Sequence, residues 1–303
     1  MALEMRRKLF LFLKVFIIGV LFLQVYSLAY GAPTKTGRDG LEMVLIPAGE
    51  FLMGSPNGEG TVAEHPQHAV YLDKFYIDKY EVTVAQYKKF CKSLLLGDRV
   101  LPAQPEWSTE NSPVVNVSWE EAAAYANYYG KQLPTEAQWE KACRAGTQTK
   151  YAFGDKLDAT MAKFNTPKGA APVGSYKPNA YGVYDMHGNA WEWCEDRCGE
   201  DYYSVSPKKN PQGPKIGPTR ILRGGGWAYE ADACRSANRL WSGQRSRNIY
   251  IGFRCVPGSR LGNFWRFGIL GSVPTIVWFI LLAGIFVVWI RAMKKNKVKK
   301  KKK

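Results

Sequence analysis

Residues 181–198, YGVYDMHGNAWEWCEDRC, crowd four acids (Asp185, Glu192, Glu195 and Asp196), His187, Cys194 and Cys198 among tyrosines and tryptophans. These residue types permit three readings. An imidazole with two thiols is a soft donor set for a transition metal. An acid-rich turn with a histidine can be an active site, and a tryptophan-rich turn can simply wall a core. Chemistry is thin elsewhere. His65 and His68, in EHPQH, adjoin a strand-like stretch and read as structural, and no G-x-S-x-G, P-loop or H-E-x-x-H pattern occurs.

The elements that must position this segment can be read from capping and periodicity. MVLIPAGEFLMGS reads as strand and turn, and HAVYLDKFYIDKYEVT continues the strand-like alternation. Thr83 caps a helix whose apolar face is Val84, Tyr87, Phe90, Cys91 and Leu94. Ser118 and Glu121 form a capping box for a second helix that stops at Gly130. A third runs from Pro134-Thr135 to Gly146. Beyond Gly146 helix signals fade into short Gly-, Pro-, Asn- and Trp-rich segments, until RILRGGGWAY and IYIGFRCV resemble strands again. The expectation is one domain over residues 36–257, α+β and loop-rich, with disulfides or calcium as natural staples.

Both ends carry membrane signals. Residues 1–31 pair a basic start with an apolar run and the small-x-small Ala29-Tyr30-Gly31, as a signal peptide or N-terminal anchor does. Residues 267–290 hold no charge, a length of about 36 Å as helix, enough for one transmembrane helix. The basic tail 291–303 then stays cytoplasmic, where it can touch anionic lipid, and the domain lies on the extracytoplasmic side. Of the net charge of +16, segments 1–31 and 291–303 carry +3 and +9, leaving +4 for the 259 residues between them. A nucleic-acid reader concentrates its cations on the folded face, so nucleic acid is not an expected partner. Six cysteines in an exported chain are an even set for disulfides, and spacing alone leaves their connectivity open.

MVLIPAGEFLMGS, EHPQHAVYLDKFYIDKYEVTVAQYKKF, PVVNVSWEEAAAYANYYGKQLPTEAQWEKACRAG, APVGSYKPNAYGVYDMHGNAWEWCEDR, RILRGGGW, CRSANR and IGFRCV occur in that order over residues 41–256. This series resembles the formylglycine-generating enzymes, or sulfatase-modifying factors. The resemblance implies their variant of the C-type lectin fold. It also implies a structural calcium ion at DMHGNAWE, with carboxylates from Asp185 and Glu192 and carbonyls from Gly188 and Ala190. A second calcium site would start at Asn165 and Thr166, although NTPKGAAPVG lacks the acid that completes it. Bridges in related proteins imply Cys143 with Cys234, and Cys91 with Cys255, which leaves Cys194 with Cys198.

The family's enzymes bind copper(I) with two closely spaced cysteines after the RGG strand and oxidise a substrate cysteine to formylglycine. Here RGGGWAYEADACRSANR, residues 223–239, holds Cys234 alone. A single thiolate cannot make a linear bis-thiolate site, so neither copper nor formylglycine synthesis is expected. The expected function is a non-catalytic binding or scaffolding module for an extracytoplasmic protein or peptide. The alternative is a divergent enzyme of the family acting on a protein or peptide substrate.

Overall fold

The computed structural model describes residues 33–94 and 101–258. The expected signal peptide or anchor over 1–31, the span 267–290 and the tail 291–303 lie outside the described residues. Among the described residues no helix is long and apolar enough to cross a membrane. In chain order the elements are β1 (Thr34–Thr36), β2 (Glu42–Ile46), β3 (Gly49–Met53), β4 (His68–Leu72), β5 (Phe75–Asp78), α1 (Val84–Ser93), α2 (Trp119–Tyr128), β6 (Lys131–Gln132), α3 (Glu136–Arg144), β7 (Trp191–Arg197), α4 (Tyr202–Val205), β8 (Thr219–Arg223), β9 (Leu240–Gly243), β10 (Ile251–Gly252) and β11 (Val256–Pro257). The fold is α+β, with the long stretch 145–190 free of regular elements.

Reciprocal capping boxes start the three long helices. Thr83 pairs with Gln86, Ser118 with Glu121 and Thr135 with Gln138, so each satisfies two backbone donors that the first turn leaves open. Gly130, at φ 71°, follows α2 as expected; α3 turns left-handed one residue earlier than Gly146, at Ala145 with φ 48°. The apolar face of α1 buries Val84, Tyr87, Phe90 and Cys91. Leu94, expected on that face, is instead the C-cap residue and is 38% exposed.

MVLIPAGEFLMGS supplies two strands. β2 joins β1 and β5 in one antiparallel sheet, with Val44 opposite Ile77, while β3 pairs with β4. β1 starts at Thr34, two residues before the expected domain start. A four-stranded sheet of order β10-β7-β8-β9 carries the second half. Its central strand β7 is WEWCEDR, where the sequence had suggested loop: it is covered on both faces, so it shows no polar alternation to read.

Indole groups tie the helices to this strand. Trp119 of α2 donates to the Cys194 carbonyl at 2.8 Å, Trp193 donates to the Val117 carbonyl at 3.0 Å, and Trp139 of α3 donates to Glu192 Oε2 at 2.9 Å. Buried ion pairs hold the rest. Arg223, at the end of β8, lies between Glu136 and Glu140 of α3. Arg239 grips Glu136 at 2.6 Å and 2.9 Å, Arg235 grips Glu64 at 2.7 Å and 3.1 Å, and Lys131 bridges Asp39 and Asp78. The arginines of RILRGGGW, CRSANR and IGFRCV are thus the far halves of clamps onto earlier elements.

Candidate functional site

The loop 185–190 between the irregular stretch and β7 needs left-handed backbone at Asp185 (φ 58°), Gly188 (φ 89°) and Asn189 (φ 63°). Gly188 is obligatory there, since a Cβ would stand 2.2 Å from the Lys163 carbonyl oxygen. Its amide donates to Gly224 O at 2.7 Å, and Asn189 N donates to Lys163 O at 2.8 Å, so the loop is fastened to β8's exit and to the 161–165 segment.

Its acids converge. Glu192 accepts from Arg254 through both oxygens, each at 2.7 Å, while Asp185 Oδ2 accepts from Gly174 N at 2.7 Å. Glu81, which sequence reasoning passed over, enters from the other side. Its oxygens accept from Asn189 Nδ2 at 2.6 Å and Ala190 N at 3.1 Å. Arg254 feels all three carboxylates. Burial, then the neighbouring Asp185 and Glu192, push the Glu81 carboxyl well above its usual range, and burial lifts Asp185 to about 6. One guanidinium against three buried acids leaves excess negative charge, which either protons or a cation must relieve.

The donors are all oxygen, the set Ca²⁺ prefers. Among the described residues no three His, Cys, Asp or Glu side chains converge in metal-holding geometry. An ion here would therefore draw on Asp185, Glu192 and the Gly188 and Ala190 carbonyls, with Glu192 already committed to Arg254. At the second expected site Asn165 has φ 45° and stands 3.2 Å from Glu230, so an acid absent from 165–174 arrives from across the fold. Thr166 is pinned by its amide to Trp227 O at 3.0 Å.

The soft set His187, Cys194 and Cys198 does not assemble. His187 faces Cys143, whose Sγ lies 3.7 Å from Nε2, and holds the Cys234 carbonyl with Nδ1 at 2.8 Å. Cys194 is buried in the apolar cluster of Trp139, Met186 and Ile221. Burial drives the His187 pKa down to about 4 and the Cys143 thiol up to about 12, so the pair is neutral and is not an activated thiolate–imidazolium couple. His65 and His68 bind backbone oxygens of Glu59 and Pro66, in keeping with a structural role.

All six cysteines are described, and none is in a disulfide. The three expected bridges are therefore absent from this structure. Cys143 and Cys234 do come near one another around His187, and Cys91 and Cys255 share one apolar cluster. Cys194 lies within strand β7 rather than in the loop its pairing with Cys198 presupposed.

In residues 223–239 the sulfur is sealed. Cys234 is buried, its Sγ rests 3.7 Å from Glu230 O, and burial, then Cys143, push its thiol up to about 12. The same segment instead contributes rings to a continuous aromatic row. Trp107 meets Trp227 edge to face at 5.8 Å, Trp227 leans on Tyr250 at 4.9 Å, Tyr250 on Tyr229 at 5.6 Å, and Tyr229 on Trp191 at 5.6 Å. Trp107, Tyr229 and Tyr250 are half-buried, and the Trp227 indole N–H has no partner among the described residues. The row adjoins the acid loop directly, since Trp227 N donates to Asn189 O at 2.9 Å.

Residues 30–258 match the family model of the sulfatase-modifying factor enzyme 1-like domain. The serine/threonine-protein kinase pkn1 of Chlamydia caviae is 38% identical over 239 residues, covering 72% of this chain and 38% of its own length. The formylglycine-generating enzyme of Streptomyces coelicolor is 34% identical over 289 residues, covering 74% of this chain and 91% of its own. The inactive C-alpha-formylglycine-generating enzyme 2 of Bos taurus is 28% identical over 300 residues, covering 78% of this chain and 95% of its own. The structure of PvdO from Pseudomonas aeruginosa superposes with a TM-score of 0.67 at 27% identity, over 76% of this chain and 99% of that one. The chain spans 38% of the length of the chlamydial kinases, so the match says nothing of the rest of those proteins. With the family model covering the whole described domain, the chain belongs to the sulfatase-modifying factor enzyme 1-like domain family.

Proposed function

We propose that this chain is a membrane-anchored extracytoplasmic module that binds a protein or peptide partner through the aromatic row and does not make formylglycine. The observation that carries the proposal is the state of segment 223–239. Where the family's enzymes hold copper(I) between two cysteines, this segment presents Trp227, Tyr229 and a single buried thiol raised to about 12. A neutral, enclosed thiol neither ligates copper(I) nor exchanges with a substrate thiol. Half-buried tryptophan and tyrosine rings offer large contact area at small entropic cost, as anchor residues of interfaces do. Calcium at Asp185, Glu192 and the Gly188 and Ala190 carbonyls would neutralise the buried acids and brace the loop beneath the row. The run 267–290 serves as the single span, and the basic tail contacts anionic lipid on the cytoplasmic side.

The test is direct. The protein is incubated with a sulfatase-type cysteine peptide, copper and oxygen, and the peptide is weighed by mass spectrometry. No aldehyde product is expected. Turnover that vanishes in Cys194→Ser or Cys198→Ser would overturn the non-catalytic reading and restore residues 181–198 as an active site. A partner retained by the parent chain and lost by Trp107→Ala, at the half-buried end of the row, with the variant still folding cooperatively in urea, is the positive result.

A further inference from the structure

A second cluster of reactive side chains lies apart from the acid loop and the aromatic row, beneath the turn between β1 and β2. The turn closes through Gly37 N to Leu41 O at 2.7 Å and Gly40 N to Gly37 O at 3.0 Å, and it carries Asp39 inward. Lys131, the first residue of β6, and Asp78, the last of β5, meet it there. Lys131 Nζ lies 2.5 Å from Asp39 Oδ2 and 2.7 Å from Asp78 Oδ1. Lys131 is 2% exposed, Asp39 4% and Asp78 0%, so bulk water is excluded. Gly37 seals the turn side, where a Cβ would stand 2.6 Å from both Asp39 Oδ1 and Lys131 Cε.

As an ion triad this arrangement is unbalanced. One ammonium faces two buried carboxylates, and the surplus negative charge is costly where no water reaches it. The surroundings of the two acids also differ, and the difference assigns roles. Asp39 meets donors at both oxygens, Leu41 N at 3.2 Å on Oδ1 and the Tyr125 hydroxyl at 3.3 Å on Oδ2. Tyr125 is fully buried, and burial, then Asp39, hold its hydroxyl protonated well above its usual range. Donors placed in this way stabilise the negative charge that grows on a carboxyl oxygen under nucleophilic attack. Asp78 accepts from Cys255 N at 2.9 Å on Oδ2, and burial pushes its carboxyl up to about 6, where it can take and return a proton.

We propose that Lys131 and Asp39 condense to an amide, a covalent clasp between the β1–β2 turn and β6. The two residues are 92 positions apart. Burial would lower the Lys131 amine, but its acidic neighbours, Asp78 first, keep it charged, so attack waits on proton transfer. Nζ passes a proton to Asp78, and the neutral amine attacks Asp39 Cγ. As the new C–N bond forms, one C–O bond breaks. Two of the three Nζ protons leave with that oxygen as water, relayed by Asp78, and the third stays on the amide nitrogen. An ammonium and a carboxylate become one neutral amide, with no oxidant or cofactor consumed. Enclosure then limits the return of water.

The full chain tests the clasp directly. Folded protein is denatured, digested with trypsin, and its peptides are weighed by mass spectrometry. Cleavage after Lys131 should fail. The Asp39 and Lys131 peptides should appear joined, lighter than their sum by one water, and at least about tenfold over the linear forms, since a preorganised pair reacts near completion. Lys131→Arg keeps the charge, cannot condense in this way, and should give linear peptides only. In chain followed after pulse labelling, Asp78→Asn should slow the loss of linear peptide at least about a hundredfold, the low end for a positioned proton carrier. Tyr125→Phe, which keeps the buried ring, should slow it at least about tenfold. Tryptophan fluorescence checks that each variant is folded. Linear peptides alone from the folded parent would overturn the proposal, as would a bond to Asp78 in place of Asp39, or linking of both slowed variants at the parent's rate.

Discussion

Glu64 offers the sharpest test of how the clamps hold this fold. Its carboxylate is fully buried, receives Arg235 through two nitrogens at 2.7 Å and 3.1 Å, and accepts the Ser55 hydroxyl at 2.5 Å. Burial alone would raise its pKa, but the Arg235 and Ser55 hydrogen bonds prevail and bring it down to about 2 from an ordinary 4.5. A folded-state pKa below the unfolded one means the carboxylate contributes stability above pH 4.5, and that this contribution is lost as pH falls toward 2. The shift corresponds to about 3 kcal/mol at pH 7, about 2 at pH 3.5 and less than about 1 at pH 2. Glu64→Gln keeps the shape and removes the charge, leaving Arg235 with the 77%-exposed Asp232 as its carboxylate partner. The variant should therefore unfold about 3 kcal/mol more easily at pH 7, the range found when one half of a buried pair is deleted. Paired urea titrations of parent and variant at pH 7 and pH 3.5, followed by tryptophan fluorescence, measure the difference. Other acids titrate alike in both proteins and cancel. A deficit under about 1 kcal/mol at pH 7, or one that fails to shrink by pH 3.5, would refute the reasoning.

Gly188→Ala should cost more than about 2 kcal/mol, because it adds both a left-handed alanine and a Cβ against the Lys163 carbonyl; thermal unfolding reads the loss. Calcium should raise the thermal midpoint of the parent and chelator should lower it, with Asp185→Ala abolishing the calcium response; a parent indifferent to both would remove the ion from the 185–192 loop. For the thiols, a native-state thiol reagent should modify the half-buried Cys198 first, with Cys143, Cys194, Cys234 and Cys255 reacting only on denaturation, since burial raises all four. Fewer than six thiols in the denatured, unreduced protein would instead reveal bridges.

Much of the fold was legible because its determinants are local. Capping pairs three residues apart, alternating strands and glycine stops marked α1, α2, α3 and the first strands from the sequence alone. β7 was not legible, because a strand covered on both faces carries the same tryptophan-rich composition as a buried turn. The reading of DMHGNAWE as an acid-bearing loop depended on landmark order, while the partners of its acids depended on residues far away in the chain.

The sequence by itself determined where the three long helices start, the single cysteine in 223–239 and the uncharged run 267–290 ahead of a basic tail. Tertiary structure alone decided that Glu81 and Arg254 join Asp185 and Glu192, that Glu230 stands by Asn165, and that His187 meets Cys143 and not Cys194 or Cys198. It also decided that five rings drawn from residues 107, 191, 227, 229 and 250 form one row. The reason is the range of the forces. Capping and periodicity act over three or four residues and leave a local pattern. Buried ion pairs and ring contacts join residues 21 to 171 positions apart, so their partners are chosen only when the chain closes.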